Sequence, residues 1–123
     1  MRALSRLLAL AAKSDHDKYQ HAALVYKGGS LISQGNNRQY SQYSARGSVG
    51  LHAEVAALAR VQDKRKLKNS SVTVIRVNKA GLLVMSRPCP SCIRYMRQVG
   101  VSKMIYSDDN GDFVEEKLWR NYD

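Results

Sequence analysis

The chain has 123 residues, enough for one domain with a modest core and too few for a separate regulatory domain, so residues 1–123 are expected to form a single domain. Hydrophobic residues make up 44% of the composition and only two prolines occur, which is typical of a folded protein and excludes a disordered tail. No apolar run approaches the roughly 20 residues that a membrane-spanning helix needs, so no membrane partner is expected.

Basic residues outnumber acidic ones by 20 to 10, a formal net charge of +10. The acids are concentrated at the end: residues 108–123 carry six acids and two bases, whereas residues 1–107 carry 18 bases and four acids, a net charge of +14. A field of this sign attracts polyanions and favours a nucleotide or nucleic acid over an uncharged nucleoside. A basic surface that serves only solubility is the alternative.

The N-terminal segment and the cysteines both bear on the compartment. Arg2 and Arg6 precede a short apolar stretch, as in a signal peptide, but the stretch is shorter than the usual apolar region of such peptides. Both cysteines sit in one Cys-x-x-Cys and leave none for a disulfide framework, which favours a reducing, cytoplasmic compartment. The N-terminal stretch is instead predicted to form an amphipathic helix, because four of its apolar residues fall on one face at spacings of three and four: Leu4, Leu7, Leu8 and Ala11.

The next elements are predicted from periodicity and turn residues. Residues 22–26 and 31–33 form a predicted β-hairpin around Gly28-Gly29, and residues 38–50 a predicted loop. A helix is predicted over residues 51–61 and is closed by the basic residues 64–66. Its apolar residues at helical spacing are Val55, Leu58 and Ala59.

The second half alternates between strands and helices. Residues 72–77 are β-branched at five of six positions and predict the strongest strand, followed by a turn and a short apolar stretch over 82–85. A helix is predicted from the prolines at 88 and 90 to about Gln98, ended by Gly100, and a strand over 101–106. From residue 112 the pattern fits either a strand or a short helix. This order implies a three-layer α/β domain with a mixed sheet.

Two motifs carry the candidate chemistry. His52-Ala53-Glu54 is followed, 34 positions after Glu54, by Pro88-Cys89-Pro90-Ser91-Cys92. One imidazole, two thiols and a carboxylate are the minimum for a metal-activated water with a proton shuttle beside it. Cys89 and Cys92, at i and i+3 of a helix start, point the same way, and the helix N-terminal amides favour thiolates over thiols.

The motif pair and the order of elements resemble the cytidine and deoxycytidylate deaminase group of zinc-dependent nucleobase deaminases. The resemblance implies an α/β/α fold, one zinc ion bound by His52, Cys89 and Cys92, and Glu54 as the catalytic proton shuttle. The implied reaction is hydrolysis of cytosine to uracil with release of ammonia. Gly35-Asn36-Asn37 matches the family's Gly-x-Asn after the second strand, which makes Asn37 a candidate contact to the sugar or base. The family also implies a homo-oligomer.

The resemblance implies a reaction type but leaves the class of substrate open. Free-nucleoside deaminases usually carry cysteine in the first motif, so His52 favours the branches that act on deoxycytidylate, tRNA adenosine or polynucleotides. Met85-Ser86-Arg87 stands where tRNA adenosine deaminases typically have Thr-Leu-Glu. The serine at position 86, just before Arg87-Pro88-Cys89, resembles the pattern of cytidine-type members. Two substrate classes stay open: a cytosine nucleoside or nucleotide, and single-stranded DNA or RNA with cytosine or adenine as its target.

The loop before His52 holds the other candidate substrate contacts. Tyr40 and Tyr43 are candidates for stacking on a base, and Arg38 and Arg46 are candidates for binding a phosphate. Tyrosines that anchor the loop and solvated arginines are the alternative interpretation.

Three rival interpretations of the motifs stay open. A structural zinc site needs a fourth ligand, for which only His16 and His21 are left, and these we take as surface or capping groups. A thioredoxin-like redox Cys-x-x-Cys would make His52-Ala53-Glu54 accidental. A catalytically silent nucleic-acid-binding module that keeps zinc as a structural staple is the alternative outside the enzymes.

Overall fold

The computed structural model describes residues 2–13, 20–37 and 52–118. No helix in these ranges is both long and apolar enough to cross a membrane. The predicted loop over residues 38–50 lies outside them. Within them the elements are, in chain order, α1 (Arg2–Ala11), β1 (Gln20–Lys27), β2 (Ser30–Asn36), α2 (Ala53–Ala59), a 3₁₀ helix (Lys64–Leu67), β3 (Ser70–Val77), β4 (Leu83–Val84), α3 (Pro90–Val99), β5 (Val101–Ser107) and β6 (Phe113–Lys117).

The strands form one mixed sheet in the order β2-β1-β3-β5-β6, with β4 also paired to β3. β3 and β5 are parallel and are connected through α3, whereas the other pairs are antiparallel. The predicted mixed sheet is confirmed, and the segment after residue 112 is a strand. The predicted hairpin is confirmed as well: Gly28 and Gly29 have φ values of 57° and 84°, as a two-residue hairpin turn requires.

Both faces of the sheet are covered, so the predicted three-layer fold is confirmed. Alternate residues of a strand point to opposite faces, and the central strands are apolar on both. One face packs against α2 and α3, and the other packs against α1. On the α2 and α3 face the strand residues are Ala23, Val25, Val72 and Val74. On the α1 face they are Ala22, Leu24, Ile75 and Val77.

The prediction for α1 was wrong in one residue. Leu7 and Ala11 are fully buried against the sheet and Leu4 packs beside them, but Leu8 is 39% exposed. Leu10 takes its place against the sheet, because the buried stripe is centred on Leu7 and does not extend to Leu8.

The prediction for α2 was wrong in its buried face. Ala59 is exposed and Val55 half-buried, whereas alanines at 53, 56 and 57 are buried with Leu58. The reason is a close approach to β2. A Cβ on Gly35 would lie 2.7 Å from the backbone nitrogen of Ala57, so only small residues fit between the helix and the strand.

The end of α2 also differs from the prediction. The helix stops at Ala59, and the basic residues 64–66 belong to the separate 3₁₀ helix. One of them still satisfies the helix end, because Lys64 Nζ donates to the carbonyl oxygens of Leu58 at 2.9 Å and Ala59 at 3.1 Å.

Candidate metal centre and its cavity

Two helix starts meet on the same face of the sheet and bring the two motifs together. His52 is the N-cap of α2 and Cys89 the N-cap of α3, both with extended backbone, and Pro90 begins α3 as a first-turn proline. Cys92 lies in the first turn of α3. Because both helices pack on this face, residues 40 positions apart in the chain become neighbours.

The three candidate ligand atoms are spaced as a metal ion requires. Cys92 Sγ lies 3.3 Å from His52 Nδ1 and 3.5 Å from Cys89 Sγ, and all three atoms lie within 4.8 Å of one another. Zinc bonds of about 2.3 Å to sulfur and 2.0–2.1 Å to nitrogen give ligand separations of about 3.6–3.8 Å in a tetrahedron. The donor set and its spacing therefore fit a zinc ion.

The described residues bring no fourth histidine, cysteine or carboxylate ligand to this group. A closed structural zinc site wants four protein ligands, whereas a catalytic site has three and keeps one position for water or substrate. His52 is exposed and Cys89 half-buried, so solvent reaches the group. Within the described ranges, the arrangement is that of a three-ligand site.

The two thiols differ in their surroundings. Burial raises the pKa of the Cys92 thiol, and the nearby charge of Glu54 raises it further. At Cys89 burial also raises the pKa, but hydrogen bonding with Ser91 and with the backbone amides at the start of α3 outweighs it and leaves the pKa lowered. The half-exposed Cys89 is therefore the thiol that ionises more easily before a cation arrives.

Glu54 is a carboxyl group held inside the protein beside the candidate ligands. It is the second residue of α2 and only 4% exposed. Burial raises its pKa, while its own backbone amide and the charge of His52 oppose that shift. A buried carboxyl with a raised pKa can take up and give back a proton within one reaction cycle.

A cavity of about 270 Å³ opens beside Glu54 and the candidate ligands. Asn37, predicted as a substrate contact, is buried in its wall, where its Oδ1 accepts a hydrogen bond of 2.8 Å from the backbone N–H of His21. The other three predicted contacts, Arg38, Tyr40 and Tyr43, lie outside the described residues. The lining consists of His21, Asn37, His52, Ala53, Glu54, Arg76, Met85, Ser86, Arg87, Pro88 and Cys89.

Sequence reasoning left several lining residues out of its candidate site, among them the basic residues His21, Arg76 and Arg87. His21 was expected at the surface or as a cap, but it is half-buried on β1 and pairs directly with Arg76 of β3. Both residues occupy strand positions that face α2 and α3, in phase with the buried Ala23 and Val74. Polar residues at core-facing positions were the available signal, but the strand pairing that joins them is not readable from local sequence.

The segment that carries Cys89 is fixed to the sheet by two buried serines. The Ser86 hydroxyl donates to the carbonyl of Val74 at 2.9 Å and accepts from the backbone N–H of Ser107 at 2.8 Å. The Ser107 hydroxyl donates to the carbonyl of Val84 at 2.7 Å. These bonds hold residues 84–86 against β3 and β5, so the cysteine motif begins from a fixed position.

Arg87, also a lining residue, is held by the last strand. Its Nε and Nη2 donate to the two carboxylate oxygens of Glu116 at 2.7 and 3.1 Å, and Tyr106 also donates to Glu116. These hydrogen bonds, that from Arg87 first, lower the pKa of Glu116 to about 2. The bond to Glu116 raises the pKa of the Tyr106 hydroxyl. The guanidinium at the cavity is therefore oriented by a carboxylate 29 residues away.

Comparison with known proteins identifies a deaminase family and a fold shared with solved deaminases. A family model described as MafB19-like deaminase matches residues 1–119. Cytidine deaminase from Burkholderia pseudomallei has a similar structure, with a TM-score of 0.71 and 16% identity over 95% of this chain and 91% of that one. The dCMP deaminase of cyanophage S-TIM5 aligns with a TM-score of 0.57 and 21% identity over 88% of this chain and 84% of that one. No curated protein has a significantly similar sequence.

Proposed function

The chain belongs to the MafB19-like deaminase family, and on this premise we propose that it is a zinc-dependent hydrolytic deaminase that converts the cytosine of a nucleoside or nucleotide to uracil. The observation that carries the proposal is the meeting of His52, Cys89 and Cys92 beside the buried carboxyl of Glu54. The expected membership of the cytidine deaminase superfamily is confirmed.

The metal assignment rests on the chemistry of the three donors. Two thiolates and a neutral imidazole suit zinc, and their charges balance that of the dication. Bound there, zinc would lower the pKa of a water molecule toward about 7 and so supply a nucleophile at neutral pH.

Glu54 accepts and donates the protons in the proposed reaction. It accepts a proton from the attacking water as the oxygen bonds to C4 of cytosine, and it delivers that proton to N3. The second proton of the water then passes through the same carboxyl to the amino group, so that the C4–N bond breaks and ammonia leaves. Because Glu54 lies among the residues lining the cavity, its carboxyl is within reach of a bound base.

The cavity suits a small substrate. Its volume of about 270 Å³ lies just below the roughly 300–1,000 Å³ typical of sites for drug-sized ligands. Asn37, fixed by its bond to His21, presents its side-chain amide as a contact to the sugar or base. Ala53 and Pro88 supply apolar lining for a ring.

A panel of substrates tests the proposal. The zinc-loaded protein is incubated with cytidine, deoxycytidine, their monophosphates, adenosine, and single-stranded DNA and RNA, and ammonia and the base product are measured. Ammonia with a uracil product is expected. Bound zinc with tight nucleic-acid binding but no ammonia from any of them would instead indicate a catalytically silent binding module.

A second candidate function is deamination within single-stranded DNA or RNA. The net charge of +14 over residues 1–107 favours it, because cations that contact phosphates strengthen binding to a strand. Deamination of an oligonucleotide that weakens steeply with added salt would support it. Activity confined to mononucleosides and mononucleotides would eliminate it.

A further inference from the structure

We propose that Arg87, held in place by Glu116, binds a phosphate group of the substrate, so that the site prefers phosphorylated cytosine compounds, free or within a strand, over nucleosides. This inference rests on the proposed function, since it assigns a substrate class to the same cavity. Glu116 acts in it as a positioning residue, and Arg87 is the residue that touches the substrate.

Arg87 has hydrogen-bonding capacity left after it binds Glu116. A guanidinium carries five N–H groups in a rigid plane. Glu116 takes one from Nε and one from Nη2, and the Tyr106 hydroxyl, which donates to the same carboxylate, also interacts with the guanidinium. At least two N–H groups remain in a plane fixed by the two bonds to Glu116, and arginine uses paired N–H groups of this kind to bind phosphate.

The wall around Arg87 suits an anion. Arginines at 76 and 87 and the histidine at 21 line the cavity, and among the described residues that line it Glu54 is the only acid. Arg76 is anchored close by, since its Nη1 donates to the carbonyl of Met85 at 3.3 Å, two residues before Arg87. The proposed chemistry uses Glu54 at the base, which leaves the arginines for another part of the substrate.

The position of Arg87 in the chain places a phosphate at a suitable distance from the reacting base. Arg87 precedes the candidate ligand Cys89 by two residues, a backbone span of at most about 7 Å. A nucleotide whose base lies beside Cys89 extends its sugar and phosphate along the cavity wall. A guanidinium on this segment can therefore meet the phosphate while the base stays beside Glu54.

A second pair in the chain shows what such a contact looks like away from the cavity. Arg65 binds Asp63 with the same two-bond geometry, at 2.9 and 3.1 Å, on the exposed 3₁₀ helix. The Arg65 side chain is 92% exposed, against 44% for Arg87, and it does not line the cavity. Substitutions in the Arg65–Asp63 pair are therefore the matched control for substitutions in the Arg87–Glu116 pair.

Product binding tests the inference without requiring turnover. Titration calorimetry compares dUMP with deoxyuridine on the zinc-loaded full chain and on Arg87→Met, Glu116→Gln, Arg65→Met and Asp63→Asn variants. The wild type is expected to bind dUMP at least about tenfold more tightly than deoxyuridine, since a two-bond arginine contact to phosphate is strong. Arg87→Met should remove most of this preference and Glu116→Gln part of it, whereas Arg65→Met and Asp63→Asn should keep it. Equal affinity of the wild type for both compounds would overturn the inference.

Turnover then identifies the source of the phosphate. The ratio of kcat/KM for dCMP over deoxycytidine, and for a single-cytosine oligonucleotide over deoxycytidine, is measured in the same variants. In Arg87→Met, a fall of about tenfold in the dCMP ratio identifies a free phosphate monoester as the ligand, and a fall of about tenfold in the oligonucleotide ratio identifies a phosphate diester within a strand. In Glu116→Gln, the fall in the same ratio should come from a higher KM. Ratios in Arg87→Met that match those in Arg65→Met contradict the inference.

The outcomes separate this inference from the proposed function. Preference for dUMP that depends on Arg87, without deamination of any cytosine compound, would keep the phosphate site and reject the deaminase. Deamination with no preference for phosphorylated compounds would keep the deaminase and reject the phosphate site.

Discussion

The two ends of the same sheet carry basic residues in different settings. At the end that faces the cavity, His21 pairs with Arg76 across β1 and β3, and both line the cavity beside the helix starts. At the far end, Lys103 of β5 pairs with Lys117 of β6, and neither lines that cavity. Lys103 instead makes a long contact of 3.5 Å to Glu115 with both side chains about half exposed.

The difference teaches that net charge does not locate a binding site. The densest basic run in the described residues is the 3₁₀ helix and the following Lys68, which lies at the far end, because Lys27 at the end of β1 donates to the Lys68 carbonyl. The cations that we propose to meet a substrate are few, and they are distinguished by burial, by strand phase and by fixed partners. If the proposals are right, changes at the cavity end should alter chemistry and those at the far end should not.

The largest expected effect comes from Glu54→Gln. Amide nitrogen cannot accept the proton of the attacking water, so kcat should fall by about 10²–10⁴-fold. Zinc content, measured by atomic absorption, should stay at one per chain because Glu54 is not among the candidate ligands. Glu115→Gln is the control, because this carboxylate contacts Lys103 and does not line the cavity. Wild-type turnover in Glu54→Gln would remove the carboxyl from the mechanism.

Removal of the metal should come next, with an effect on stability as well as activity. Cys92→Ser should lose zinc, and its Tm should fall by about 4 °C or more relative to the zinc-loaded wild type, because ligands that bind only the folded state stabilise it. A chelator should have the same effect on the wild type and little on Cys92→Ser. An unchanged Tm in both experiments would show that these residues do not hold a stabilising metal.

Gly35→Ala should disturb the cavity end by moving α2. The new Cβ would lie 2.7 Å from the Ala57 nitrogen and 2.9 Å from the Ala53 oxygen, backbone atoms that cannot rotate away. We expect a loss of about 1–3 kcal/mol in the free energy of unfolding, measured with urea, and weaker turnover because α2 carries Glu54. Gln34→Ala on the same strand is the control, and equal stability of the two variants would contradict the close packing.

The smallest effect is expected from the Arg87–Glu116 pair in acid. The pKa of Glu116 is lowered to about 2 in the folded chain, against about 4.3 in an unfolded one, so the pair stabilises above the unfolded value and its contribution is lost as the pH falls from about 4 toward 2. Partial exposure keeps the contribution below about 1 kcal/mol. The wild type should therefore lose more stability than Glu116→Gln over this window, and parallel curves would contradict the contact.

The motifs and most elements were predictable from the sequence because their signals are local. Helix starts at His52 and Cys89, the glycine turn and the β-branched strand are each encoded within a few residues. Contacts set by tertiary packing were not predictable. The alanine face of α2 follows from its approach to Gly35, and the partner of Arg87 lies 29 residues away on a strand whose type was left open.

The central claim is that water replaces the amino group of cytosine at this site, and the origin of the product oxygen tests it most directly. The zinc-loaded chain is given deoxycytidine and dCMP in water enriched in heavy oxygen, and the uracil product is weighed by mass spectrometry. The account predicts a product that carries one heavy oxygen, formed with an equal amount of ammonia and formed about 10²–10⁴-fold more slowly by Glu54→Gln. A uracil product without heavy oxygen would contradict it.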